Sequence, residues 1–138
     1  MEKRNIPSEW LEEFNVNVKF IDEQHIYFFT ILKKLEKNIK DKQCRVHASD
    51  IFFSLVHYAD HFLIKEEIYF KDLNYPEIDL HKEKHGKFIS SIVQMKDDFA
   101  NGNPCICETL LNFMTEYLHK HILGYDVKAV SYLKEEGM

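Results

Sequence analysis

Seven side chains of metal-ligand type recur along the sequence, namely His25, His61, Glu66, His81, His85, His121 and Asp126. His81 and His85 stand four residues apart, so on a helix they project from one face, one turn apart. The others fall on or beside apolar stripes. His25 precedes Phe28, Phe29 and Leu32 by three, four and seven residues, and His121 continues a stripe through Phe113 and Tyr117. Imidazoles and carboxylates buried in a phenylalanine-rich core are costly unless they are paired or bind a cation. Five imidazoles and two carboxylates are more than mutual hydrogen bonding comfortably satisfies. Two divalent or trivalent ions would satisfy them directly, with the carboxylates bridging the pair. Imidazole-rich, thiolate-free ligation suits iron, with copper or zinc also open on softness.

Taken singly, each residue has a plainer reading. A lone histidine on an apolar helical face is usually a satisfied core residue, and Glu66 and Asp126 could simply be solvated. The complete set, with at least one group on each helix and all aimed inward, carries the metal reading.

The elements that position these groups follow from apolar spacing. Residues 1–18 lack a helical period and include Pro7, which suggests an extended N-terminal arm. Phe28, Phe29, Leu32, Leu35 and Ile39 mark a first helix over about 19–41. Ser49 or Asp50 is placed to cap a second, over about 49–73, striped by Phe52, Leu55, Val56, Ala59, Phe62 and Phe70. After Asn74-Tyr75-Pro76, Ile78, His81, His85, Phe88, Ile92, Met95 and Phe99 define a third helix over about 77–101. Asn101-Gly102-Asn103-Pro104 ends it, and a fourth follows over about 104–134 through Ile106, Leu110, Phe113, Met114 and Tyr117. The fold class is all-α, an up-down-up-down four-helix bundle of one domain with an N-terminal arm.

Composition narrows the partners. The chain has 138 residues, 30% of them charged and 45% hydrophobic, which reads as globular and not disordered. A net charge of −5 leaves no basic footprint for nucleic acid, and no apolar run approaches a membrane span. The N-terminal stretch has no apolar core of the kind a secretory signal needs. With Cys44, Cys105 and Cys107 an odd count, reduced thiols and a cytoplasmic setting are expected.

The order of the ligand-type residues resembles a known family, the bacteriohemerythrins, over essentially the whole chain. The resemblance rests on Trp10, IDEQH (residues 21–25), HFLIKEE (61–67), NYPEIDLHKEKH (74–85) and HKHILGYD (119–126). It implies a non-haem di-iron centre with an oxo or hydroxo bridge. His81, His85 and His121 would hold one iron, His25 and His61 the other, and Glu66 and Asp126 would bridge them. It further implies reversible binding of dioxygen, as a hydroperoxide, at the five-coordinate iron held by His25 and His61. Phe28, Phe29, Phe62, Phe88 and Tyr117 are candidates for an apolar pocket lining that keeps water out. The function implied is oxygen delivery, storage or buffering by a monomer, not an enzyme. The alternatives are an oxygen or redox sensor working through a separate partner, and a di-iron oxidoreductase acting on peroxide or nitric oxide.

One departure bears on the site. The family places its bridging glutamate four residues after the second-helix histidine, whereas Lys65 occupies that position and Glu66 stands five residues after His61. Five residues turn a side chain by about 140° on an α-helix, against about 40° for four. A π-bulge within residues 60–67 would absorb the extra residue. In a regular helix either His61 or Glu66 would be lost as a ligand.

Overall fold

The structure, a computed structural model, describes residues 14–137. Trp10 and most of the expected arm lie outside the described residues. Just before the first helix, the Asp22 carboxylate accepts hydrogen bonds from the backbone N–H groups of Val16 (2.7 Å) and Asn17 (3.0 Å).

Helix α1 spans Lys19–Lys40 and buries Ile21, Gln24, His25, Phe28, Phe29, Ile31, Leu32 and Leu35, the three-four spacing of one helical face. Lys37 and Lys40 in its last turn suit the negative end of the helix dipole. The second rod is composite: α2 (Cys44–Tyr58), a π-helical segment (Ala59–Leu63) and α3 (Ile64–Asp72). The third is α4 (Ile78–Ala100). The fourth joins α5 (Ile106–Tyr117), a second π-helical segment (Leu118–Asp126) and α6 (Val127–Glu135). There is no strand among the described residues. Short connections link rods that pack in a ring, α1 on α2, α2 on α4, α4 on α5 and α5 back on α1. The result is a four-helix bundle.

The second helix starts at Cys44 and not near Ser49, and neither Ser49 nor Asp50 caps it. Cys44, Ala48, Ile51, Phe52 and Leu55 are all buried, so the three-four apolar spacing continues upstream and draws the helix back with it.

Two apolar clusters flank a polar layer. One gathers Phe28, Phe29, Leu32, Tyr58, Leu63, Phe88, Tyr117 and Leu118; the other gathers Ile21, Phe70, Tyr75, Ala129 and Val130. On every rod the ligand-type residues fall between members of the two, as His25 does between Ile21 and Phe28. Among the described residues no helix is long and apolar enough to cross a membrane.

The cysteines differ from expectation. Cys44 and Cys107, 63 residues apart, form a disulfide, while Cys105 is an exposed free thiol. The spacing of the odd set held no hint of the pairing, because the two sulfurs meet only when the start of α2 docks beside the start of α5. Closing a loop of that length stabilises the fold by about 4 kcal/mol in a chain-entropy account. Reduction, or Cys107→Ser, is expected to cost about 2–4 kcal/mol and to lower the thermal midpoint by several degrees. Unchanged melting curves with and without reductant would contradict this.

Candidate metal centre

Four rods contribute to the polar layer. Helix α1 supplies Gln24 and His25, α3 supplies Glu66 and Glu67, α4 supplies His81 and His85, and the second π-helical segment supplies His121 and Asp126. His81 and His85 share a face because α4 is regular there. His121 and Asp126 are five apart, a spacing that would splay them on an α-helix. Here the backbone is π-helical from Leu118 to Asp126, and i→i+5 bonding turns both inward.

Glu66, His81, His85, His121 and Asp126 are all buried, and one donor atom from each lies within 4.8 Å of all the others. Glu66 Oε1 is 2.7 Å from His81 Nε2 and 3.1 Å from His85 Nε2. Asp126 Oδ1 is 2.9 Å from His81 Nε2 and 3.2 Å from His121 Nε2. The Nε2 atoms of His85 and His121 face each other at 3.1 Å. Donors on opposite sides of a first-row transition-metal ion stand about 4 Å apart, given bonds of about 2.0–2.2 Å. The five donors therefore fit one such ion with little movement.

Each carboxylate also turns its other oxygen away from the three imidazoles. Asp126 Oδ2 lies 2.8 Å from His25 Nε2, and Glu66 Oε2 accepts a hydrogen bond from the Gln24 amide. Each carboxylate thus meets different partners through its two oxygens. Outside the cluster, Glu67 Oε2 accepts from His85 Nδ1 at 2.8 Å, which fixes the ring with Nε2 inward, a common support for ligating histidines.

The electrostatics show how strongly the charges of the layer act on one another. Burial works against a charge on His81, but its close contacts with the Asp126 and Glu66 carboxylates outweigh that and raise its pKa to about 10. His85 shifts upward for the same reasons, burial being overcome by Glu66 and Glu67. Burial would raise Asp126, yet His121, His25 and His81 together hold it well below the usual carboxylate range. The imidazoles and the two buried carboxylates thus offset one another's charge.

Six of the seven residues expected from sequence meet in this layer, and His61 does not. A π-helical segment does occupy 59–63, overlapping the window anticipated for the extra residue. It delivers Glu66 to the interior, but it ends at Leu63, and regular α-helix resumes before Glu66. His61 is left exposed, its ring 4.0 Å from that of His57. His61 therefore stands apart from the other six expected residues in this structure. Deleting Lys65 is expected to leave the centre intact or to strengthen it, by returning His61 and Glu66 to a four-residue spacing. Complete loss of metal in that variant, measured by elemental analysis, would show that the insertion is structurally required.

The aromatic candidates divide in a similar way. Tyr117 stacks on His121, with ring centroids 4.7 Å apart and planes 9° apart. Phe28 and Phe88 pack on Tyr117 at 5.1 and 4.4 Å, and Phe29 is buried in the same cluster. Phe62 is only half-buried and lies against Tyr27 and Tyr58. Burial raises the Tyr117 phenol well above its usual pKa, so it stays neutral. Gln24 and Glu67 were not anticipated. Their only sequence signal is that each adjoins a ligand-type residue, His25 or Glu66.

The fold and the layer define a helical bundle with a buried group of donors at its centre that could hold a cation. The family model "Hemerythrin HHE cation binding domain" matches residues 16–129, and the chain belongs to the hemerythrin family. It is 31% identical to a myohemerythrin of Theromyzon tessulatum over 88% of this chain and 90% of that protein. It is 28% identical to a bacteriohemerythrin of Clostridium acetobutylicum, covering 85% of this chain and 94% of the other. A bacteriohemerythrin of Campylobacter jejuni is 25% identical over 88% and 92%. Membership places the chain among proteins with a cation-binding helical domain.

Proposed function

We propose that the centre holds two iron ions bridged by Glu66 and Asp126, and that the protein binds dioxygen reversibly for delivery, storage or buffering. The observation that carries this reading is the double-sided placement of the two carboxylates, each with one oxygen toward His81, His85 and His121 and the other toward α1. The proposed ligand set is His25, Glu66, His81, His85, His121 and Asp126. His61 is left out because its ring lies away from them. The names of the relatives, myohemerythrin and bacteriohemerythrin, support the assignment.

Iron, when bound, supplies the electrons that dioxygen takes up. The chain's own residues set the surroundings. Phe28 and Phe88, with Tyr117, form an apolar wall on the core side of His121. A cleft of about 340 Å³, rimmed by Lys84, Lys87 and Lys120, reaches Tyr117 and His121 from the surface and offers a route for a small molecule.

Oxygen uptake by anaerobically reduced protein, followed by release under argon, tests the proposal. Uptake that reverses over several cycles supports it. Steady consumption of peroxide or nitric oxide would favour an oxidoreductase instead. His121→Ala is expected to lose most bound iron, since it removes a donor facing both Asp126 and His85. Full retention of two irons would exclude the role given to His121. A cytoplasmic setting favours reduced Cys44 and Cys107 in the cell. Rapid alkylation on lysis followed by mass measurement distinguishes the two states.

A further inference from the structure

With His61 outside the layer, the second ion would keep a single imidazole, that of His25. The structure shows what else stands there. Gln24 is fully buried, at 0% exposure, one residue before His25 on the inward face of α1. Its amide nitrogen donates to Glu66 Oε2, the carboxylate oxygen turned away from the three-histidine side. Its amide oxygen is buried and has no hydrogen-bond partner among the described residues. An unsatisfied buried carbonyl costs roughly 1–3 kcal/mol, and a group left in that state calls for a missing water or ion. Amide oxygens are competent donors to hard and borderline cations.

We propose that Gln24 takes the place of His61 at the second ion, which is held by His25, Asp126 Oδ2, Glu66 Oε2 and the Gln24 amide oxygen. The inference rests on the two-ion reading above. Its consequence is asymmetry. Three imidazoles and two carboxylate oxygens converge on the first ion, whereas the second has one imidazole, two carboxylate oxygens and a neutral amide. The first ion is retained when the second is lost. In the absence of metal, the same amide covers the free oxygen of Glu66, so Gln24 serves both states of the site.

Anaerobic calorimetric titration of ferrous iron into metal-free protein tests the assignment, with circular dichroism as the check on folding. The wild type is expected to take up two ions in two steps, the second weaker. Gln24→Ala should leave the first step unchanged and weaken the second by about tenfold or more, the scale of losing a supporting group at a metal site. His61→Ala should titrate like the wild type. Gln24→Glu, which keeps an oxygen donor and adds charge, should bind the second ion at least as tightly as the wild type. It decides the matter if the alanine variant fails to fold. A weakened second step in His61→Ala, an unchanged one in Gln24→Ala, or a weaker one in Gln24→Glu overturns the proposal. One ion in the wild type overturns it while leaving the three-histidine position standing. No ion at all removes the metal reading itself.

Discussion

Asp126→Ala is expected to empty the centre of both ions and to destabilise the metal-free fold. The carboxylate is fully buried and touches three imidazoles, His81 at 2.9 Å and His121 at 3.2 Å through Oδ1 and His25 at 2.8 Å through Oδ2. Removing it deletes a donor from each side of the layer at once. Without metal, it also strands the proton on His81, whose pKa of about 10 depends on Asp126 and Glu66. The sign follows from that shift. A histidine raised above its usual 6.5 contributes stability that is complete below that value and is lost as pH rises through about 10. At neutral pH the metal-free variant therefore forfeits a contribution that the metal-free wild type holds. Breaking one side of a buried ion pair costs about 3–5 kcal/mol. Iron assay, and urea unfolding of the metal-free proteins at pH 7, measure the two effects. Two irons per chain with an unchanged unfolding midpoint would show that Asp126 neither bridges nor holds the layer together.

Phe28→Ala should produce the second large effect, on stability and on water exclusion together. Phe28 is fully buried and packs against Tyr58 at 5.2 Å, Tyr117 at 5.1 Å and Phe88 at 6.3 Å. Truncating such a ring costs about 3–5 kcal/mol, because the surrounding side chains collapse only partly into the space left. That space adjoins Tyr117, which stacks on His121, so water would gain a place beside a proposed ligand. The variant is expected to unfold at lower urea and to oxidise irreversibly faster in air than the wild type. A stability loss without faster oxidation would confine Phe28 to core packing.

Much of the centre was legible in the sequence because regular helical geometry converts spacing into direction. The four-residue step from His81 to His85 needs nothing more than an α-helix, and α4 is one throughout. His25 could be read from its distance to Phe28 and Leu32. The five-residue steps were harder. Between His121 and Asp126 the backbone is π-helical for the whole interval, and both residues arrive. Between His61 and Glu66 the π-helical segment ends at Leu63, and only Glu66 arrives. Where such a segment begins and ends is a matter of tertiary packing, and residue spacing does not encode it. Gln24 and Glu67 carry no ligand signature of their own, so only contacts across rods expose them. The Cys44–Cys107 bond joins the starts of two helices far apart in sequence, and the early start of α2 follows from buried Cys44 and Ala48.

The most direct test is the iron content and visible spectrum of the anaerobically reduced wild type, recorded before air, after air and after its removal. The proposed function predicts two irons per chain and a colour that appears with oxygen and fades when oxygen is withdrawn. Two irons with a colour change that never reverses, or a chain that holds no iron, would contradict it.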